Sequence, residues 1–271
     1  MQQIARSPLL FALMAALILA EWWWRRRIAR RGYDTSDARA SLVMGLGNIL
    51  AGSLSVLLLG GVFAFTYRIA PVHWPLDDWR TWVAGFVGVE FAYYWFHRCS
   101  HRVRWMWANH AVHHTPEEMT LLSSIRIGWT NLLSFGWMFH LPLVLAGFDP
   151  RLVFALLAFD LHYQFFLHTE AVDRLGLLEW VLNTPAHHRV HHASNPEYLD
   201  CNYGGVLIVF DRLFGTLREA NADNPIRYGL ANPLGTKRPL VVAFGEWRRL
   251  FTAMKSAANP RTALRIALGR P

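Results

Sequence analysis

The stretch WVAGFVGVEFAYYWF, residues 82–96, runs directly into HRCSHRVRWMWANHAVHH, residues 97–114. An apolar, aromatic segment of membrane-helix character thus ends in five histidines within eighteen positions. Whether those imidazoles act together depends on which side of a bilayer the neighbouring segments emerge.

Of the 271 residues, 53% are hydrophobic and thirteen are tryptophan, and mean hydropathy is positive. The length would suffice for one or two soluble domains, but this composition belongs to the membrane class. The first apolar run, Pro8 to Trp24, is followed by RRRIARR with no small-residue cleavage pattern between them. A secretory signal carries its charge before the apolar core, so the run reads as a retained anchor helix. Arg25, Arg26, Arg27, Arg30 and Arg31 are then expected to stay cytoplasmic, with the N-terminus outside.

A second run, Ser41 to Ala70, leaves the cytoplasm. Its Gly45, Gly47, Gly52, Gly60 and Gly61 imply close helix packing or a break into a hairpin. PVHWPLDDW follows outside, and Trp79 to Phe96 returns, delivering His97 to the cytoplasmic surface. Trp129 to Gly147 goes out, FDPR turns, and Arg151 to His168 comes back. The expectation is an all-α polytopic membrane helical bundle of four to five spans with a cytoplasmic, histidine-rich helical cap. Residues 1–80 would be transmembrane anchor, 81–218 the catalytic domain and 219–271 a cytoplasmic amphipathic segment. In the last, EWRRLFTAMKSAANPRTALRIAL reads as a basic helix lying on the membrane surface. All three histidine-rich segments fall on one face, which the spans themselves do not require. The arginine-rich cytoplasmic segments also account for much of the +8 charge as a rim facing anionic headgroups, without nucleic acid. Cys99 and Cys201 lie on the reducing side, where no disulfide is expected.

His97 and His101 stand at i, i+4; His110, His113 and His114 at i, i+3, i+4; and His188, His191 and His192 repeat that second pattern. Residues three and four apart share a helix face, so each cluster is expected to aim its imidazoles in one direction. Neutral imidazole is the commonest protein ligand for transition metals. Eight imidazoles exceed the roughly four to six positions of a single ion, so two metals fit the count. A nitrogen-rich set without a cysteine cluster points to iron, zinc or copper rather than calcium or magnesium. One H-x-x-x-H is more often an ordinary surface or core pair; three clusters on one membrane face are not.

His162 and His168, in FDLHYQFFLHTE, close the fifth span and stand about 9 Å apart along a helix axis. His168 is level with the clusters and reads as a further ligand. His162 lies deeper, as a ligand or a partner lining the substrate channel. His187 points about 100° away from His188 on a helix but stands i, i+4 to His191, so it is a ligand or a hydrogen-bonding partner of one. His140 and His73 lie off the cluster face and read as structural. Glu117 and Glu118 could orient an imidazole, bind a metal or, after Pro116, cap a helix. Glu90, Asp160, Asp200 and Asn202 are further candidates for holding imidazoles in place, whereas Asp211 in VFDRLFGT reads as organising a turn.

Two histidine-held metals at a membrane surface suggest chemistry on a lipid, either hydrolysis with two zincs or O₂ activation with two irons. Carboxylate bridges dominate hydrolytic two-metal sites and soluble di-iron bundles, and here histidine outnumbers them, which leans toward an oxygenase. A metal-binding or transport protein is the third possibility. It would need polar residues along several spans, and the first, second and fourth carry almost none.

HRCSH, HAVHH and HHRVHH, followed by NYGGVLIVFDRLFGT, resemble the fatty acid hydroxylase/sterol desaturase superfamily of integral-membrane di-iron enzymes. EFAYYWFHR, MWANHAVHHTPEEM, QFFLHTE and NTPAHHRVHH are most similar to its alkylglycerol monooxygenase branch and the bacterial relatives of that branch. The resemblance runs from about Glu90 to Thr216, nearly half the chain, with motifs in order and spacing intact. It implies a non-haem di-iron centre that reduces O₂ and hydroxylates or desaturates an unactivated C–H position of a fatty acyl, sterol-like or ether lipid. By position, the resemblance assigns metal ligation to His97, His101, His110, His113, His114, His188, His191 and His192, with His168 as the additional ligand. His162 and His187 stay candidate partners of the centre. The resemblance also implies an external reductant, tetrahydropterin in ether-lipid members and cytochrome b5 or another electron-transfer protein elsewhere; these 271 residues show no fused cytochrome or dinucleotide fingerprint. Zinc outcompetes ferrous iron at such ligands, so zinc found after overexpression would not identify the native metal. The expected setting is a bacterial inner membrane with the metal site on the cytoplasmic side.

Overall fold

The computed structural model describes residues 8–271; residues 1–7, part of the expected anchor segment, lie outside them. The described residues form ten α-helices joined by loops and short 3-10 turns, with no strand among them. α1 (Pro8–Arg27) and α2 (Thr35–Arg68) are the two helices long and apolar enough to cross a bilayer. Asp34 caps α2, its carboxylate accepting from the Ser36 and Asp37 N–H groups. The 34 residues of α2 run about 51 Å, well beyond the roughly 30 Å of hydrocarbon. Its middle exposes Leu50, Leu54 and Leu57, whereas Ala40, Ser41 and Met44 near its start are buried. The helix does not break into a hairpin. Packing is the use made of Gly45, against Ile125, and of Gly47, where a Cβ would overlap the Trp129 indole; a Cβ on Gly52, Gly60 or Gly61 would meet nothing.

α3 (Trp79–Arg102) and α6 (Pro150–Phe165) correspond to the third and fifth expected spans, with α5 (Leu141–Leu145) between them. These helices and α2 share a core of Phe63, Val89, Val144, Phe148, Leu152 and Val153. The fourth expected span is a correction: Trp129–Gly147 is not one helix but turns, a 3-10 helix (Gly136–His140) and the five residues of α5. Phe135 adopts a left-handed φ of 60°, and Phe96 packs where a Gly136 side chain would stand. Apolar composition alone cannot report this, because the polar residues decide it. Asn109 accepts from the Thr130 N–H (3.1 Å) and hydroxyl (2.7 Å), and donates to Asn131 (2.7 Å), which donates to Asn48 (3.0 Å).

The remaining helices build the cap: α4 (Arg104–His110), α7 (Pro185–His191), α8 (Val209–Leu213), α9 (Pro239–Lys255) and α10 (Pro260–Leu268). α9 and α10 lie on α4, where Trp247, Leu250 and Ala267 enclose Ala108. Val242 and Ala243 join Met44 and Val112 in a second cluster. Segment 219–271 thus buries one face of α9 in the cap, while Leu240, Phe244 and Phe251 stay exposed on the other.

Candidate metal centre

His97 and His101 occupy the last two turns of α3. His110 closes α4, and tight turns then carry the chain on, with the His113 N–H on His110 O (2.9 Å) and the His114 N–H on Ala111 O (3.0 Å). α7 starts at Pro185, a residue suited to a helix's first turn, and presents His188 and His191, with His192 as its C-cap. His168 follows the end of α6.

The nine rings converge as two groups: His97, His101, His110, His114 and His191; and His113, His168, His188 and His192. Within each group one nitrogen per residue lies within 4.8 Å of every other. The sequence neighbours His113 and His114 go to different groups, as do His191 and His192. His97 and His101 aim one way, as expected, but the other two clusters each divide between the groups. Successive helical residues diverge by about 100°, and the turn after His110 adds its own rotation, so the second and third motifs each feed both groups.

Backbone carbonyls fix four tautomers. Nδ1–H of His97 donates to Tyr203 O (2.8 Å), that of His191 to Cys201 O (2.8 Å), that of His168 to Gln164 O (2.7 Å) and that of His113 to Arg126 O (3.3 Å). Each of these rings then carries a lone pair and no proton at Nε2. Yet Nε2 of His113 and Nε2 of His168 face each other at 3.2 Å, and Nε2 of His191 is buried without a partner. Two bare lone pairs at that separation repel unless a cation sits between them. The spacing recurs from His97 to His110 (3.1 Å), His110 to His114 (3.2 Å), and His188 to both His168 and His192 (3.1 Å). Two nitrogens bound to one ion at about 2.1 Å and at right angles stand about 3.0 Å apart. The residues present thus fit a metal ion in each group, and an all-imidazole set suits iron, zinc or copper. Burial lowers the proton affinity of these imidazoles, holding His113 at about 4 and His191 at about 3. His110, His114, His168, His188 and His192 are held well below the usual histidine value by burial and then by repulsion from neighbouring rings. The rings are neutral, as ligation requires, at pH 7.

The loop 200–207 supplies two of the four carbonyls. Asp200 and Asn202 take left-handed φ values of 62° and 54°, turning the chain so that Cys201 O and Tyr203 O meet His191 and His97. Buried Asp211 holds the loop, accepting from Tyr203 N–H (2.8 Å), Gly204 N–H (2.7 Å) and the Thr216 hydroxyl (2.6 Å). Burial pushes its carboxyl up, and those donors oppose the shift. Glu90 accepts from Val206 N–H (2.9 Å) and Leu207 N–H (2.8 Å). Asp160 packs against Gly205, where no Cβ fits, and accepts from Gln164 (2.8 Å). Asn202 donates to the carbonyls of His187 (3.0 Å) and Arg218 (2.8 Å), and Asp200 pairs with Arg102 (3.3 Å). These side chains touch the loop rather than the two nitrogen groups.

Glu117 faces Lys237 (3.2 Å) and Glu118 faces Arg25 (3.2 Å), so neither joins a group. His162 is half-buried on α6, its Nδ1–H on Ala158 O (2.5 Å). His187 is buried with neither ring nitrogen partnered, also outside both groups. His73 donates to Tyr67 O (2.8 Å) and His140 is buried away from the cap. The sequence reading missed Arg126, fully buried against Asp37 (2.8 Å), whose carbonyl takes the His113 proton. It also missed Glu21. In both cases the available signal was a lone charge in an apolar run.

Residues 82–216, which hold all nine histidines, match the family model "Fatty acid hydroxylase". Alkylglycerol monooxygenase of Homo sapiens is 38% identical over 250 residues, covering 91% of this chain and 54% of that protein. The Xenopus tropicalis alkylglycerol monooxygenase is 45% identical over 177 residues, 65% of this chain and 38% of that one. Ornithine lipid hydroxylase OlsE of Rhizobium tropici is 29% identical over 146 residues, 54% and 44% of the two chains. The chain therefore spans about half the length, or less, of these curated relatives. No solved structure gives a significant match. Through residues 82–216, the chain belongs to the fatty acid hydroxylase family.

Proposed function

We propose that the chain is a membrane di-iron, O₂-dependent lipid hydroxylase. The observation that carries this reading is the convergence of unprotonated imidazole nitrogens into two groups, within a segment whose relatives are named as a monooxygenase and a lipid hydroxylase. Absence of any carboxylate from either group weighs against the two-zinc hydrolase. The reaction takes a lipid C–H, O₂, two electrons and two protons to the alcohol and water. Two bound irons, held by His97, His101, His110, His114 and His191 and by His113, His168, His188 and His192, would supply O₂ activation. The carbonyls of Tyr203, Cys201, Gln164 and Arg126 keep four rings in the ligating tautomer and aim them. Seven of the nine rings are buried, and His110 and His113 keep partial exposure; we assign substrate entry to that side.

In this reading the electrons come from a donor outside these 271 residues. A cavity of about 350 Å³ is lined in part by Thr115, Glu117, Tyr228, Lys237 and Arg126, the residue whose carbonyl holds His113. We assign it to a small polar reductant, such as the tetrahydropterin of the ether-lipid branch. In this reading α1, α2, α3, α6 and the irregular segment 129–147 make the four to five membrane passages. Arg25, Arg26 and Arg27 lie on the cytoplasmic side of a bacterial inner membrane, and the metal centre with them. Residues 1–80 anchor, 81–218 carry the chemistry and 219–271 brace the cap.

The test is purification without oxygen from cells fed isotopically enriched iron, followed by Mössbauer spectroscopy and turnover of candidate lipids under labelled O₂. Two irons per chain that oxidise together, with label in the alcohol product, are expected. Folded protein that cannot hold two irons, or product oxygen drawn from water, refutes the proposal.

A further inference from the structure

α1 contributes two buried residues, Glu21 and Arg25, out of twenty. They stand at i, i+4 and so share one face. Burying a charge is costly unless its polar atoms are answered, and here both Glu21 oxygens are. Oε1 accepts from the Thr169 hydroxyl (2.5 Å), and Oε2 accepts from the Tyr33 hydroxyl (2.5 Å) and the Leu121 N–H (2.8 Å). Arg25 pairs with Glu170 (3.1 Å) and Glu118 (3.2 Å).

These partners are placed for a purpose. Thr169 and Glu170 directly follow His168, while residues 118–121 follow the His113–His114 turn. His168 is therefore held on one side by Gln164 O at its Nδ1 and on the other by Glu21 through Thr169. The first histidine group has different supports. Two of its rings are aimed by the loop 200–207, which Glu90 and Asp211 hold.

We propose that Glu21, with Arg25, is a positioning residue for the second metal group: the anchor helix sets the aim of His168, so that docking of α1 and loading of that metal are one event. The inference rests on reading both histidine groups as metal sites. It assigns to α1 a part in building the centre beyond holding the chain in the membrane.

The experiment compares the full chain with E21A, T169V, T169S and E21A/T169V, all loaded with iron without oxygen, reading iron per chain, its spectroscopic coupling and the melting temperature. E21A and T169V are each expected to bind the second iron about 10- to 100-fold more weakly, leaving one uncoupled iron per chain at limiting metal. T169S, which keeps the hydroxyl, should hold two, and the double variant should lose no more than either single one. Two coupled irons in both E21A and T169V overturn the proposal. So does equal loss of both irons with a collapsed melting temperature in T169V, since the contact would then serve the fold alone. A wild-type chain that never holds two irons instead refutes the two-metal reading beneath it.

Discussion

Replacing Asp211 with asparagine is a near-isosteric change at a residue that touches no ligand, and it should weaken one metal group alone. In the native loop Oδ1 accepts from both Tyr203 N–H and Thr216 Oγ1, and Oδ2 accepts from Gly204 N–H. The amide keeps most by leaving its oxygen at the Oδ1 position, which turns its NH₂ toward the Gly204 N–H. Two buried donors then face each other. One unsatisfied buried donor costs about 1–3 kcal/mol and the lost bond about 1 more, so destabilisation of about 2–4 kcal/mol is expected. The loosened loop carries Tyr203 O and Cys201 O, which aim His97 and His191. Loss of such a support weakens metal binding by about 10- to 100-fold, equivalent to about 1.4–2.7 kcal/mol. The assay is thermal unfolding of the metal-free protein in detergent, paired with metal titration against a competing chelator. The second group is supported by Gln164 O and Arg126 O and should titrate as in the wild type. Reduced stability with both metal affinities unchanged, or both weakened alike, would refute the reasoning.

Acidification should weaken fold and metal binding together between about pH 7 and pH 4. Unfolded histidine takes its proton near pH 6.5, whereas folded His113 resists to about 4 and His191 to about 3. The unfolded state therefore binds more protons across that window, and stability is lost as pH falls through it; a flat melting temperature from neutrality to pH 5 would contradict this. Gly205→Ala, whose Cβ would overlap Asp160 Oδ1, should cost about 1–3 kcal/mol or more. Gly52→Ala meets open space and should be neutral or stabilising by up to about 1 kcal/mol, both read by unfolding midpoint. Lys237→Ala, at the cavity beside Arg126, should raise the KM for a small-molecule reductant several-fold with iron content unchanged. An unchanged KM removes the reductant from that cavity.

The histidine motifs were legible because a ligand cluster is a local pattern: i, i+3 and i+4 spacing survives whatever the tertiary fold does. How the rings divide was not, since His113 and His114 part company through a turn whose geometry depends on distant contacts. Arg126 and Glu21 act across 85 or more residues, on Ser41 and Thr169, and sequence spacing carries no trace of such pairings. Asp211 was read as a turn organiser, and it does hold a turn; that the turn aims His97 and His191 depends on where residue 203 meets residue 97. The fourth expected span shows the opposite failure. Hydropathy registered that Trp129–Gly147 is apolar, but the Asn109, Asn131 and Asn48 ladder and the left-handed Phe135 decide that it is not one helix.

α2 is much longer than a bilayer's hydrocarbon layer is thick, and its two ends answer to different surroundings. Leu50, Leu54 and Leu57 face outward, where lipid would meet them, while Asp37 is pinned to Arg126, whose carbonyl carries the His113 proton. Helices of this kind adjust to a thicker or thinner membrane by changing tilt. A change of tilt in α2 reaches a ring of the second histidine group through two contacts, Asp37 to Arg126 and Arg126 to His113. The acyl length of the host lipids thus becomes a mechanical input to the second histidine group. Turnover should shift with membrane thickness even when the substrate molecule is held the same.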